Sequence, residues 1–497
     1  MRLSLLISAW LGIGSAVAAV TPRDVSRSIL LNRRNKWNPK TVISFPDTPE
    51  FINATDRWSA YAEPTFIAGI TPATEDDVAR AVQLATDNKI GFLAQGGRHG
   101  IAYSFKSLKN GWSIDLSLLK SVSVDRRAAT VTVGAGVRFG DIYDPLDKAG
   151  FMIQTGSGSC PGMLGAGLGA GVGRYQGMFG LVIDALVSAR VVTANGKVVE
   201  ASAKKNPDLF WALRGAGANF GIVTSATFKV QKVPNNNKIL NVDFIIPASA
   251  NGSYFDILHT LENMPPELAT IQFVMYNATV NQPQILANWV YTGPEKKGLE
   301  LMAPVFALNP VRWEKKVVPW KSLVGTAGFG ADQGWCQPSP VPWTQLSANT
   351  KRLDAPTMRT MFEKMTAFYQ TAQATDPSTL GTTVELEIFN SDAMRAVPAD
   401  ATAYAWRDSI AYMMFELTWS NGLGEAAAIA LAQDLRRDFV ATSGYDDLAV
   451  YVNYASGNET LEQRYGANKL KRLAATKKKW DPSQVFGYSN PLPTKYP

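Results

Sequence analysis

Five glycines recur at every second position in Gly165-Ala166-Gly167-Leu168-Gly169-Ala170-Gly171-Val172-Gly173. Glycine lacks the Cβ that keeps backbone away from other atoms, so such a run suits backbone pressed against a flat or phosphorylated ligand. Two nucleophilic side chains share this setting. The chain of 497 residues has only two histidines and two cysteines. His99 lies in Gln95-Gly96-Gly97-Arg98-His99-Gly100, and Cys160 in Gly156-Ser157-Gly158-Ser159-Cys160-Pro161-Gly162. That pairing points to a covalently held cofactor.

The length implies about two or three domains. With 46% hydrophobic and 18% charged residues the chain can bury a core and is not disordered. The net charge of +7 is dispersed. Its densest run, Lys477-Lys478-Lys479, reads as a solvated helix face and not as a nucleic-acid footprint. No metal site is expected.

Arg2, the apolar stretch from Leu3 to Val17 and Ala16-Val17-Ala18 have the form of an export signal over 1–19. No other stretch is apolar and long enough to span a bilayer. Sequons at Asn53, Asn251, Asn277 and Asn458 fit a glycoprotein. The expectation is a soluble, secreted monomer. In an oxidising compartment Cys160 and Cys336 could form a disulfide, and no other intramolecular pairing exists.

Between Ile70 and Val230 short β-rich runs alternate with helical ones. Asp76 to Asp87 has helical periodicity, with Thr74 as its N-cap, and Phe139 to Ala149 is a second helix. Strands are expected at Ile90–Ala94, Trp112–Leu116, Ala129–Val133, Leu186–Thr193, Lys197–Ala201 and Ile222–Val230. The polar cluster Pro234-Asn235-Asn236-Asn237 marks a boundary. Beyond it, strands (Ile239–Ile246, Gln284–Tyr291) mix with helices (Pro356–Ala372, Gly424–Phe439), and Ala449–Tyr454 reads as a late strand. The fold class is therefore α+β.

A Rossmann reading of the glycine run, with Asp184 as the ribose acid, lacks its context, because no strand leads directly into the run. Three ordered motifs instead carry a resemblance: Gly96-Gly97-Arg98-His99, the Cys160 segment with its glycines, and Asp208-Leu209-Phe210-Trp211-Ala212-Leu213-Arg214-Gly215-Ala216-Gly217-Ala218-Asn219-Phe220-Gly221-Ile222-Val223. A fourth is the tail, with Tyr451-Val452-Asn453-Tyr454, Tyr465-Gly466 and Trp480-Asp481-Pro482. Together they resemble berberine-bridge-enzyme-like FAD-linked oxidases of the vanillyl-alcohol oxidase superfamily, with a PCMH-type FAD-binding domain.

The resemblance implies a two-part flavin domain (40–233 and the returning segment 447–497) with an inserted α+β substrate domain at 234–446. It implies bicovalent FAD, with His99 on the 8α-methyl and Cys160 on ring carbon 6. It assigns Gly96, Gly97, Arg98, Gly165, Gly167, Gly169, Gly171, Asn219, Gly221 and Val223 to cofactor binding, with Thr74 near the phosphates. Catalysis needs a base while hydride passes to the flavin, and Tyr451 or Tyr454 occupies the matching motif. Strand alternation would turn Tyr451 and Asn453 to one face and Tyr454 to the other, which favours Tyr451. Glu385 and Glu387 share a strand face and resemble a catalytic acid of some members, although Asn390-Ser391-Asp392 departs from the family's small residues there.

The implied activity is that of a secreted flavoprotein oxidase. It takes hydride from a small organic molecule, a fungal specialised metabolite, and returns electrons to dioxygen with release of hydrogen peroxide. An oligosaccharide oxidase is the alternative, suggested by Trp289, Trp313, Trp320, Trp335 and Trp343. A flavoprotein cyclase without net redox is a further one.

Overall fold

The computed structural model describes residues 21–497; the expected export signal at 1–19 lies outside the described residues. Local chemistry sets the ends of the first helices. Glu75–Asp87 is capped by the Thr74 hydroxyl, which accepts from the Asp77 N–H, and its first turn carries three acids that favour a helix N-terminus. Its buried residues, Val78, Ala81, Val82 and Ala85, repeat at helical spacing. Phe139–Ala149 stops at Gly150, whose φ of 80° suits a C-terminal cap. Thr74 is spent on this cap and does not reach the cavity described below.

Two sheets share the first core. One has the order Val42–Ser44, Phe66–Thr71, Gly111–Asp115, Phe92–Gln95, with the last three strands parallel. The other is antiparallel: Val122–Asp125, Thr130–Gly134, Ile222–Lys229, Leu186–Val192, Val198–Ser202. Helix Pro207–Ala216 and the C-terminal helix Ala467–Trp480 pack together, so the end of the chain returns to this body.

The third sheet has seven antiparallel strands: Arg312–Val318, Ile239–Ile246, Gln282–Tyr291, Leu268–Asn277, Thr383–Phe389, Ala411–Thr418, Trp343–Thr350. Its two faces differ because side chains alternate along each strand. Leu240, Val242, Phe244 and Ile246 join Val384, Leu386 and Ile388 in a core under helices Asn251–His259, Ala355–Thr375 and Gly422–Thr442. The opposite face carries Ile271 and Phe273, then Glu385 and Glu387, then Met414 and Glu416, and it turns toward the first body. Arg407 clamps the two bodies. Its guanidinium donates to both Asp184 carboxylate oxygens at 2.7 and 3.0 Å, which gives the Rossmann candidate Asp184 a structural partner.

Two expectations are corrected. Residues 449–454 form no strand: the Ala449 carbonyl accepts from Asn349 of the strand Trp343–Thr350, the Val450 N–H donates to Gln463 of the helix Leu461–Tyr465, and a turn closes from Tyr454 N–H to Tyr451 C=O at 2.8 Å. Nor is Lys477 solvated. It is fully buried, donating to Asp481 at 2.6 Å and to the carbonyls of Asn219 and Phe486. Among the described residues no helix is long and apolar enough to cross a membrane.

Candidate active site

The polar sheet face and the first body enclose a cavity of about 620 Å³. The His99 loop, the glycine run, the 216–223 segment and the tail supply the remaining walls. Gly96, Gly97, Arg98, His99, Gly165, Gly169, Gly171, Asn219, Gly221 and Val223 all line it, as do Tyr451, Tyr454 and Glu387. Besides Thr74, two sequence candidates do not. Gly167 faces away, where a Cβ would meet Val182 at 3.0 Å, and the Cys160 sulfur is bonded to Cys336.

The loops seat each other through bare backbone. A Cβ on Gly97 would stand 2.1 Å from the Gly162 nitrogen, so the His99 and Cys160 loops meet only because no side chain intervenes. Gly165 is the reverse case: a Cβ there would touch nothing within 4 Å, because it borders open cavity. Arg98, at φ 65°, pairs with Asp115 at 2.7 Å and so holds the backbone that presents His99. The His99 ring clusters with Trp58 and Trp335, each 5.4 Å from it and 26° from parallel, the two indoles 5.6 Å apart. Burial, with Arg138 and Arg57 nearby, pulls its pKa down to about 4. His99 is thus a neutral imidazole near neutral pH, with a nitrogen lone pair available for bonding.

The expected alternation of the two tyrosines gives way to adjacency. Because 451–454 is a turn, both rings sit on the cavity, 4.7 Å apart. Their hydroxyls differ in what they hold. Tyr451 accepts from the Gly171 N–H at 3.0 Å and from Asn453 at 2.6 Å, and donates to the Ala166 carbonyl at 3.1 Å. It is committed to the glycine run. Tyr454 donates to Glu387 Oε2 at 2.8 Å.

Glu387 also accepts from the Ser157 hydroxyl. Burial raises its pKa, against the pull of Ser157, Tyr454 and Arg174. Burial and the neighbouring carboxylates push Tyr454 far above the usual phenol range, so it stays protonated. Within this pair Tyr454 is thus the hydrogen-bond donor and Glu387 the acceptor.

Sequence reasoning missed two partners of these carboxylates, Glu416 and Arg174. Glu416 lies diagonal to Glu385 across paired strands, accepts from Thr383 at 2.7 Å, and is pushed up to about 7 by burial. Glu385 is raised by burial and then by Glu387 and Glu416. Arg174 is buried, donates to Asn288 at 3.1 Å, and has an Nε without a partner among the described residues. The alternation in Met414-Phe415-Glu416 was visible in sequence, but its partner strand was not. Asn219 spends its side chain on the tail, bonding Tyr465, Asn490 and Leu492.

A cleft walled by glycine backbone, with a neutral histidine at one edge and a hydroxyl–carboxylate pair beside it, fits a flat redox cofactor. The open border at Gly165 leaves room for the ring system, and His99 offers the bonding atom. The class is a flavin-dependent oxidoreductase.

A family model described as an FAD binding domain matches residues 67–202, and one described as berberine and berberine like matches 450–493. Over 477 residues the chain is 47% identical to the FAD-linked oxidoreductase fogF of Aspergillus ruber, covering 95% of each. Among solved structures it is similar to Physcomitrella patens BBE-like 1, with a TM-score of 0.80 and 25% identity over 92% of this chain and 98% of that one. It is also similar in fold to the glucooligosaccharide oxidase of Acremonium strictum, a protein with a 6-S-cysteinyl, 8α-N1-histidyl FAD, with a TM-score of 0.78 and 23% identity over 92% of this chain and 98% of that one. This chain belongs to the berberine-bridge-enzyme-like family of FAD-linked oxidoreductases. It is an FAD-dependent enzyme with that family's α+β fold.

Proposed function

We propose that this protein is a secreted oxidase that dehydrogenates a small hydroxylated organic molecule of fungal specialised metabolism, with dioxygen as the final acceptor. The observation that carries the reading is the 2.8 Å hydrogen bond from Tyr454 to Glu387 at the cavity wall. FAD, when bound, would supply the two-electron acceptor for the substrate's hydride, with dioxygen as the final oxidant and hydrogen peroxide as its product. The chain supplies everything else. His99 tethers the ring system through its neutral imidazole. The substrate hydroxyl docks on Tyr454, and its proton passes to Glu387 through or beside that phenol. Tyr451 holds the glycine run in place, and the apolar side chains Ile271, Phe273 and Met414 exclude water.

That apolar wall favours a substrate with an apolar body over an oligosaccharide. Of the five tryptophans that suggested sugar binding, Trp289 and Trp320 are buried in cores and Trp313 lies on an exposed edge strand, whereas Trp335 and Trp343 line the cavity. Export through the 1–19 signal, the monomeric state and the glycans at the sequons belong to the same reading.

The test is a screen of aryl and alkyl alcohols against oligosaccharides, following flavin bleaching without oxygen and peroxide release with it. Bleaching and peroxide on an apolar alcohol support the oxidase. Product without peroxide or bleaching means a cyclase, and turnover only on sugars means the carbohydrate reading.

A further inference from the structure

The cavity wall beside His99 is built by residues 323–339, which belong to neither the flavin motifs nor the sheet. This stretch holds two short helices, Leu323–Gly330 and Asp332–Trp335. One end is tied to the sheet, where Asp243 accepts from the Gly328 and Phe329 N–H groups at 2.8 and 3.1 Å. The other end is tied to the Cys160 loop at several points. Asp332 accepts from the Ser159 N–H at 2.9 Å and from the Ser159 hydroxyl at 2.6 Å. The Trp335 ring lies over His99, and against Gly158, where a Cβ would come within 2.5 Å of it. Trp58 donates from Nε1 to the Trp335 carbonyl at 2.9 Å, and the Ser339 N–H donates to the Trp58 carbonyl at 2.8 Å. Between these contacts Cys336 is bonded to Cys160, their Cα atoms 5.7 Å apart.

We propose that the flavin of this enzyme is attached through His99 alone, and that Cys160 instead straps the 323–339 segment over the attachment site. The sulfur of Cys160 is the reason. A thioether to the flavin and a disulfide to Cys336 each consume the same thiolate, and the chain has no third cysteine to substitute. The disulfide forms as two thiols lose two protons and two electrons to a protein or small-molecule disulfide, which leaves as a dithiol. The His99 bond joins a ring nitrogen to the flavin methyl carbon. It releases two protons and leaves two electrons in the ring system, which dioxygen removes.

The surrounding contacts show why the disulfide prevails at this position. Asp332 and Trp335 bring Cys336 to the outer side of the loop, so the Cys160 sulfur turns away from the cavity while Ser157, Gly158, Pro161 and Gly162 line it. The strap packs Trp335 on His99 beside Trp58, the two indoles 5.6 Å apart. It adds to the burial that keeps the imidazole neutral.

This inference rests on the flavin reading of the cavity, and the experiment separates the two. Unreduced, full-length protein is digested and its flavin-bearing and disulfide-linked peptides are identified by mass. The expected result is flavin on the His99 peptide and a separate Cys160–Cys336 linked pair. Flavin on the Cys160 peptide overturns the strap while the flavin reading stands. Folded protein without flavin overturns both.

The Cys336→Ser variant tests the strap itself. Flavin stays on His99, while cleavage within 323–339 by limited proteolysis becomes about tenfold faster or more. The same acceleration is expected when unaltered protein is treated with a mild thiol reductant, which covers a variant that fails to fold. Unchanged cleavage under reduction overturns the strap.

Discussion

Tyr454 and Glu387 meet at 2.8 Å across the seam between the C-terminal segment and the seven-stranded sheet. Neither element makes the site alone. The phenol comes from a turn near the chain's end, and the carboxylate from a strand in the inserted region.

Removing either partner should stop the proton from leaving the substrate. Tyr454→Phe and Glu387→Gln are each expected to slow flavin reduction by about 10²- to 10⁴-fold. Tyr451→Phe should instead lower the fraction of protein that incorporates flavin, because it frees the Gly171 N–H and the Ala166 carbonyl. Anaerobic stopped-flow absorbance on the three variants decides this, and a near-normal Tyr454→Phe beside an inert Tyr451→Phe would transfer the role.

The base must be ionised to work. Burial holds Glu387 above its ordinary value of 4.5, so kcat/KM should fall with acidification along a limb that lies above pH 4.5. A pH profile with a limb below that value contradicts the assignment, and Glu387→Gln should abolish the limb.

Stability should respond to pH in the opposite sense at Glu416. Its pKa rises from 4.5 to about 7 on folding, so the folded chain binds that proton more tightly than the unfolded one. The contribution is complete below pH 4.5 and is lost as pH rises through 7. It amounts to roughly 3 kcal/mol for a full loss. Glu416→Gln keeps a partner for Thr383 and should flatten Tm against pH over that window.

Gly97→Ala drives a Cβ into backbone and not into a yielding side chain. The His99 and Cys160 loops must separate, at a cost of about 1–3 kcal/mol. Tm and flavin content should fall together. A variant with wild-type values for both would show that the loops have slack.

Lys477→Ala strands the buried Asp481 carboxylate and two carbonyls. The expected loss is about 3–5 kcal/mol, measured by denaturant titration. A loss below about 1 kcal/mol, typical of an exposed pair, would place Lys477 back in solvent.

Much of the architecture was legible because it follows from local chemistry. Thr74 capped its helix, Phe139–Ala149 ran its expected length, and Ile239–Ile246 formed a strand over its expected residues. The Tyr451–Tyr454 stretch misled for a physical reason: its alternating apolar and aromatic residues suit a strand, but no neighbour pairs with it, and a turn satisfies its backbone instead. Lys477 misled in a related way, while Lys478 and Lys479 stay exposed as expected. Composition says that lysine prefers water, yet Asp481 one turn on and two carbonyls from distant loops can satisfy a buried ammonium.

The sequence by itself determined the helix caps, the two-faced strands, the glycine run and the rarity of histidine and cysteine, since these depend only on neighbours in the chain. It also placed both carboxylates of Thr383–Phe389 on one face, because alternation needs no partner. Tertiary structure decided which tyrosine meets Glu387, which diagonal neighbour Glu385 has, and what the Cys160 sulfur bonds to. Each of these is a contact between residues far apart in the chain. Such contacts are set by sheet register and by how loops pack, not by any spacing that can be read along one strand.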